Sequence, residues 1–131
     1  KRFDKGHTLS FKNAVAHAAV EMARDIDAAA IITCTKSGST TRLVAMYRPS
    51  RVLLSMTPSR ETAACLALTF GAVPVLIDHV ANAEELEKTV IAQALQGGHV
   101  KPGQPVVITA GIPFNVEGTT NMIKVATAEW S

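Results

Sequence analysis

Aromatic side chains are scarce in this chain: four Phe, one Tyr and one Trp make up 5% of its 131 residues. So few flat rings argue against a platform on which nucleic-acid bases would stack. Net charge is scarce too. Thirteen Lys and Arg against eleven Asp and Glu leave a formal +2, which builds neither a basic surface for nucleic acid nor a patch drawn to membranes. Only two cysteines occur, Cys34 and Cys65, each in an apolar run and without metal-ligand spacing. They read as free, buried thiols in a reducing compartment such as the cytoplasm. His7, His17, His79 and His99 are scattered and form no ligand set with them. No apolar run is long enough to span a bilayer and no leader-like segment opens the chain, so no membrane partner is expected. The sequence starts at Lys1 rather than Met, and the expectation is a piece of something longer.

Aliphatic residues are what the chain has in quantity. With 47% hydrophobic residues, it can bury one sizeable core, and its length suits one domain. Residues 1–9 are polar and read as a linker, leaving residues 10–131 as the single domain. Ser10 or Thr8 would cap a helix carrying Ala14, Val15, Ala18, Ala19, Met22 and Ile26. Ala28 to Cys34 reads as a fully buried strand, apolar without alternation, as parallel sheets require. A short helix from Ser39 to Tyr47 is stopped by Pro49. A second strand spans Val52 to Met56, and Ser59 caps a helix to about Phe70, which Gly71 ends. A third strand, Ala72 to Ile77, has Pro74 near its start. Asn82 caps a long helix to Gln96, Lys101-Pro102-Gly103 turns, and a fourth strand covers Val106 to Ala110. Asn121 to Thr127 alternates like a half-exposed fifth strand. Helices separate the first four strands at crossover lengths, which predicts a three-layer α/β/α fold with a mostly parallel five-stranded sheet. The last connection is too short for a parallel crossover, so the fifth strand should be antiparallel.

The stretch Ile31 to Arg42 organises the functional reading. A β-branched run ends in a hydroxyl-rich turn, Thr35-Lys36-Ser37-Gly38-Ser39-Thr40, with a helix directly behind it. The first N–H groups of such a helix lack intrahelical partners, and the positive end of its dipole suits an anion. Lys36 adds a cation, and Gly38 lets the backbone come close to a ligand or adopt positive φ. A phosphate is the natural guest, although the same composition also serves for plain helix capping. The Walker pattern is excluded because Lys36 precedes Gly38 rather than following it, and the dinucleotide fingerprint because one glycine is present where three are needed. Cys34 and Arg42 stand too far apart for one tight loop to bring thiolate and guanidinium onto the same phosphate. Asp78 lacks the acidic pair after the first strand that a phospho-accepting site requires.

The loop from Gly111 to Asn121 leaves the carboxyl end of the fourth strand, where open α/β sheets bind ligands. If the first and fourth strands are neighbours, it hangs over the Thr35–Thr40 turn. Charge-assisted hydrogen bonds contribute roughly 1.5–3 kcal/mol each, whereas micromolar binding takes about 8 kcal/mol net. A site built from both pieces is therefore expected.

Together these stretches resemble the carboxy-terminal domain of pyruvate kinase. The likeness is carried by Thr35 to Thr40, by Tyr47-Arg48-Pro49 with Val52 to Thr57, by Glu61-Thr62-Ala63 and Phe70 to Val75, and above all by Gly111-Ile112-Pro113-Phe114 through Gly118-Thr119-Thr120-Asn121. The resemblance implies a five-stranded α/β domain that binds a phosphorylated effector, a sugar or nucleotide monophosphate, and packs in a homo-oligomer, a tetramer. Thr35, Lys36, Ser37, Gly38, Ser39 and Thr40 would surround the effector phosphate, and Gly118, Thr119 and Thr120 would close over the ligand. Ser39 departs from the arginine usual in that family, which points to a monophosphate rather than a bisphosphate. Catalysis, the transfer of phosphate from phosphoenolpyruvate to ADP with Mg²⁺ and K⁺, is implied for a separate barrel domain. No cofactor and no catalytic residue is expected in this chain itself. The alternative is a purely structural tetramer-interface domain in which the turn only caps a helix. Trp130 is expected to make a packing contact, within the chain or between subunits.

Overall fold

The computed structural model describes residues 6–69, 71–80, 82–110 and 122–130, with side chains from residue 12 onward. Four helices, α1 (Gly6–Asp25), α2 (Ser39–Met46), α3 (Arg60–Leu66) and α4 (Ala83–Gln96), alternate with β1 (Ala30–Cys34), β2 (Val52–Thr57), β3 (Ala72–Leu76) and β4 (Pro105–Ala110), and β5 (Met122–Thr127) closes the chain. The strands form one sheet in the order β3-β2-β1-β4-β5. The first four are parallel and β5 runs antiparallel to β4. This is the mixed α/β sheet that the pattern of apolar runs and crossover lengths predicts.

Side chains alternate across a strand, and here both faces are covered. Ile31, Leu53 and Val107 point to a layer with Ala16, Ala19, Val20 and Ala23 of α1 and Val44 of α2. Ile32, Leu54 and Ile108 point the other way, to Leu86, Val90, Ile91, Ala94 and Leu95 of α4. Fully burying a side chain of this size contributes roughly 1.5–3 kcal/mol relative to exposure. The central strands thus supply most of the largest fully buried apolar side chains. The right-handed rule for parallel crossovers puts α2 and α3 on one face, because both carry the chain in the same direction across the sheet. The crossover through α4 returns past β1 to β4, so its helix lies on the opposite face.

Several boundaries differ from the sequence-based expectations. Helix α1 begins at Gly6, ahead of Thr8 and inside the stretch read as linker. Its buried stripe is Ala16, Ala19, Val20 and Ala23, while Ala14 is exposed and Val15, Ala18, Met22 and Ile26 are half-buried. Small alanines surround this helix nearly all round, so periodicity alone could not orient it. Helix α3 stops at Leu66, where Leu68 N–H bonds to the Cys65 carbonyl at 3.1 Å and Thr69 N–H to that of Leu66 at 2.9 Å, a tighter turn that unwinds the helix early. Pro74 sits at the middle of β3 rather than near its start. It is tolerated there because β3 is an edge strand, where a missing donor can face away from the sheet. Among the described residues no helix is long and apolar enough to cross a membrane.

Candidate functional site

Strand β1 hands its chain to β2 on one side, whereas its other neighbour, β4, is reached from β3 across the sheet. The strand order reverses at that point, and such a reversal leaves a crevice at the carboxyl ends of the two strands. Cys34 and Ala110 are register partners, and Ala110 in turn pairs with Met122 of β5. The turn after β1 and both ends of the β4–β5 connection therefore meet at one edge. The connection itself, with Gly118, Thr119 and Thr120, lies outside the described residues.

The turn is held from several directions. Thr35 N–H donates to the Met56 carbonyl at 3.0 Å, extending the ladder one residue past β1. Gly38 N–H donates to Thr35 Oγ1 at 2.8 Å, and the chain then enters α2 through Gly38 at φ +92° with no side-chain cap. Ser37 Oγ lies 3.3 Å from Ser39 Oγ and accepts a long bond from Ser39 N–H at 3.4 Å. Thr62 Oγ1 of α3 donates to the Lys36 carbonyl at 2.5 Å, and Arg42 Nη2 donates to the Ser37 carbonyl at 3.2 Å. Two backbone oxygens that would repel an anion are thereby occupied. Thr35, Lys36, Ser37 and Ser39 are half-buried, and Gly38 and Thr40 are buried.

Beneath the turn lies a dry row of hydroxyls. Thr41 Oγ1 is 2.8 Å from Thr33 Oγ1 and 2.5 Å from Ser55 Oγ, and Thr33 Oγ1 donates to the Leu54 carbonyl at 3.3 Å. Each hydroxyl has one proton, so the direction is fixed: Ser55 donates to Thr41, Thr41 to Thr33, and Thr33 to the carbonyl. The row ties the first turn of α2 to β1 and β2. Thr109, the register partner of Thr33 on β4, is fully buried with an unbonded hydroxyl.

Thr62, Thr33 and Ser55 are not singled out from the sequence as parts of the site, and Arg42 is weighed there only with Cys34 and set aside. For Arg42 a local signal existed, since it falls three residues after Ser39 and so shares a helix face with it. The contacts of Thr62 and Ser55 depend on the tertiary fold and leave no local trace.

The thiols are not both as expected. Cys34 is partly enclosed by the α4-side core, and burial pushes its thiol up to about 12, which makes it a poor nucleophile at neutral pH. Cys65 is exposed, a correction to its reading as buried, because in its Ala-Ala-Cys-Leu run only Leu66 turns inward. Trp130 is 57% exposed. Asp78 and His79 lie on the surface, and His17 stacks on Tyr47 with ring centroids 5.0 Å apart. Among the described residues no three His, Cys, Asp or Glu side chains gather where a metal could bind.

An open cleft of about 620 Å³ lies on the other face, between α4 and the β4–β5 pair, with Leu86, Ile108, Met122, Glu84, Glu87 and Lys124 among its lining. Residues 35–40 do not line it. Its lining balances Glu84 and Glu87 against Lys88 and Lys124, and Lys124 is already paired with Glu87 at 2.5 Å.

Comparison with known proteins agrees with this architecture. Residues 13–126 match the family model described as pyruvate kinase, alpha/beta domain. The pyruvate kinase of Clostridium acetobutylicum is 45% identical over 107 residues, covering 82% of this chain and 23% of that protein. That of Staphylococcus haemolyticus is 37% identical over 115 residues, covering 88% of this chain and 20% of that protein. A crystal structure of a pyruvate kinase from Cryptosporidium parvum superposes with a TM-score of 0.80 at 27% identity, covering 90% of this chain and 23% of that one. The chain spans less than a quarter of the length of these relatives. Sheet order, the antiparallel last strand and a family match across nearly the whole sequence agree: this chain belongs to the pyruvate kinase alpha/beta domain family, the carboxy-terminal domain of that enzyme.

Proposed function

We infer that the chain is the regulatory, effector-binding and assembly domain of a cytoplasmic pyruvate kinase, and that its Thr35–Thr40 turn binds the phosphate of a sugar or nucleotide monophosphate. The observation that carries this reading is the turn itself. It lies at the reversal of strand order, its Lys36 and Ser37 carbonyls are already engaged, and among the described residues Lys36 and Arg42 have no acidic partner. The turn needs no catalytic group for this role, and Gly118, Thr119 and Thr120 would supply the second half of the grip. Phosphoryl transfer with Mg²⁺ and K⁺ belongs to the barrel domain of the parent enzyme.

Titration calorimetry of the chain with ribose 5-phosphate, glucose 6-phosphate and AMP tests the reading. One of them should give saturable heat that Lys36→Ala reduces at least about tenfold in affinity, the scale of one charge-assisted contact. Absence of heat from all three refutes ligand sensing. A second reading, a structural tetramer-interface domain, draws on a different observation: Val125 and Trp130 are exposed beside the open β5 edge. It predicts that Lys36→Ala changes nothing while Val125→Lys changes the oligomeric state seen by light scattering.

A further inference from the structure

Side chains on a helix lean back toward its N-terminus, and in the first turn of α2 this carries the Arg42 guanidinium onto the turn that precedes it. Nη2 donates to the Ser37 carbonyl at 3.2 Å. Nη1 lies so close above Gly38 that a Cβ built there would meet it at 2.8 Å. The residue is exposed, and among the described residues no carboxylate pairs with it. A guanidinium carries five N–H donors in a planar fork. One is spent on the Ser37 carbonyl, which anchors the group over Gly38, and the others are left for a ligand.

We propose that Arg42 is the specificity-determining residue of the turn: its fork, with Lys36, selects a doubly charged phosphate monoester over singly charged anions of the same shape. The inference rests on the anion-binding reading above and adds to it which group is recognised and by what. Lys36 alone supplies a single positive point charge, which a sulfate ester satisfies as well as a phosphate ester does. Two cations, one of them planar and able to take two oxygens at once, favour the dianion. Phosphate monoesters reach that state above a second pKa of about 6. Anchoring on Ser37 also places the guanidinium before the ligand arrives, so little side-chain freedom is lost on binding.

The test uses the smallest probes that differ only in charge, methyl phosphate and methyl sulfate, titrated at pH 8 into the isotope-labelled 131-residue chain and followed by amide NMR. Methyl phosphate should shift the amides of residues 35–42 and bind at least about tenfold more tightly than methyl sulfate. Arg42→Gln should abolish that preference with little change in melting temperature, because the side chain is exposed, and Arg42→Lys should fall between. A structural role for Arg42 would weaken both probes alike. If the wild-type chain binds methyl phosphate and Arg42→Gln keeps the preference, the assignment to Arg42 is wrong while the anion site stands. If methyl phosphate, glucose 6-phosphate and AMP all leave the turn unshifted, both fall together.

Discussion

Helices α3 and α4 open in one way and α2 in another. Ser59 Oγ accepts from Thr62 N–H at 3.1 Å, and Asn82 Oδ1 accepts from Glu85 N–H at 2.9 Å. Both helices also place carboxylates in the first turn, Glu61 in α3 and Glu84 with Glu85 in α4. Their positive ends are thus satisfied from within. Helix α2 begins at a left-handed glycine with no side-chain cap and no acid in its first turn, and the charged residues flanking its start in sequence are the cations Lys36 and Arg42. What tethers α2 lies below it instead, in the row Ser55–Thr41–Thr33. Two of the helices are closed at their start by local sequence. The third is fastened to the sheet and keeps its positive end free of negative charge.

The largest way to break that contrast is Gly38→Ala. Positive φ at a non-glycine residue costs about 1–3 kcal/mol, and the new methyl would also displace Arg42 at 2.8 Å and press on Leu66 Cδ2 at 3.2 Å. Urea unfolding should show a loss near about 3 kcal/mol, and the anion site should weaken as well. Thr41→Val comes next. It keeps the shape but leaves the buried Ser55 hydroxyl without its acceptor, which should cost about 1–2 kcal/mol. An unchanged urea midpoint would mean the hydroxyl row does not anchor α2. Asn82→Ala should cost about 1 kcal/mol, the usual loss of a side-chain cap. Ser37→Ala, at the corresponding end of α2, should stay within about 0.5 kcal/mol, since the Ser37 side chain gives α2 only two long contacts to Ser39, at 3.3 and 3.4 Å.

How much of this was legible beforehand follows from what is local and what is not. Ile31-Ile32 and Val106-Val107-Ile108 announce central parallel strands because both faces of the sheet are covered, so the strands read as near-continuous apolar runs. The short connection before Met122 announces an antiparallel partner. The turn after β1 is legible because hydroxyls, a glycine and a cation adjoin an apolar run. Edges are less readable. Val73 and Leu76 of β3 look as buried as their counterparts in β2, yet both are exposed, since an outer strand has a neighbour on one side only. The helix expected to about Phe70 stops at Leu66, since Leu68 points to solvent at 89% exposure and contributes no packing that would hold another turn. The contacts Thr62–Lys36, Thr41–Ser55 and Arg42–Ser37 complete the site. The first two join elements distant in sequence, and the third depends on a rotamer that spacing does not fix.

The smallest effect at neutral pH separates the two cysteines, which stand on opposite sides of the contrast: Cys34 ends the strand that feeds α2, and Cys65 lies on α3. At pH 8 iodoacetamide should modify exposed Cys65 in the folded chain and leave Cys34 unmodified until denaturant is added, as mass spectrometry would show. Burial raises the Cys34 pKa from 9.0 to about 12. The protonated thiol is therefore favoured by the fold, and its contribution to stability is fully present below pH 9. It is lost as pH rises from 9 toward 12, because the unfolded chain releases that proton first. Replacing Cys34 with Ala should flatten this part of the alkaline unfolding curve, whereas Cys65→Ser should leave it unchanged. Rapid labelling of Cys34 at pH 8 would show instead that the end of β1 opens readily. In that case the tether beneath α2 is looser than the hydroxyl row requires.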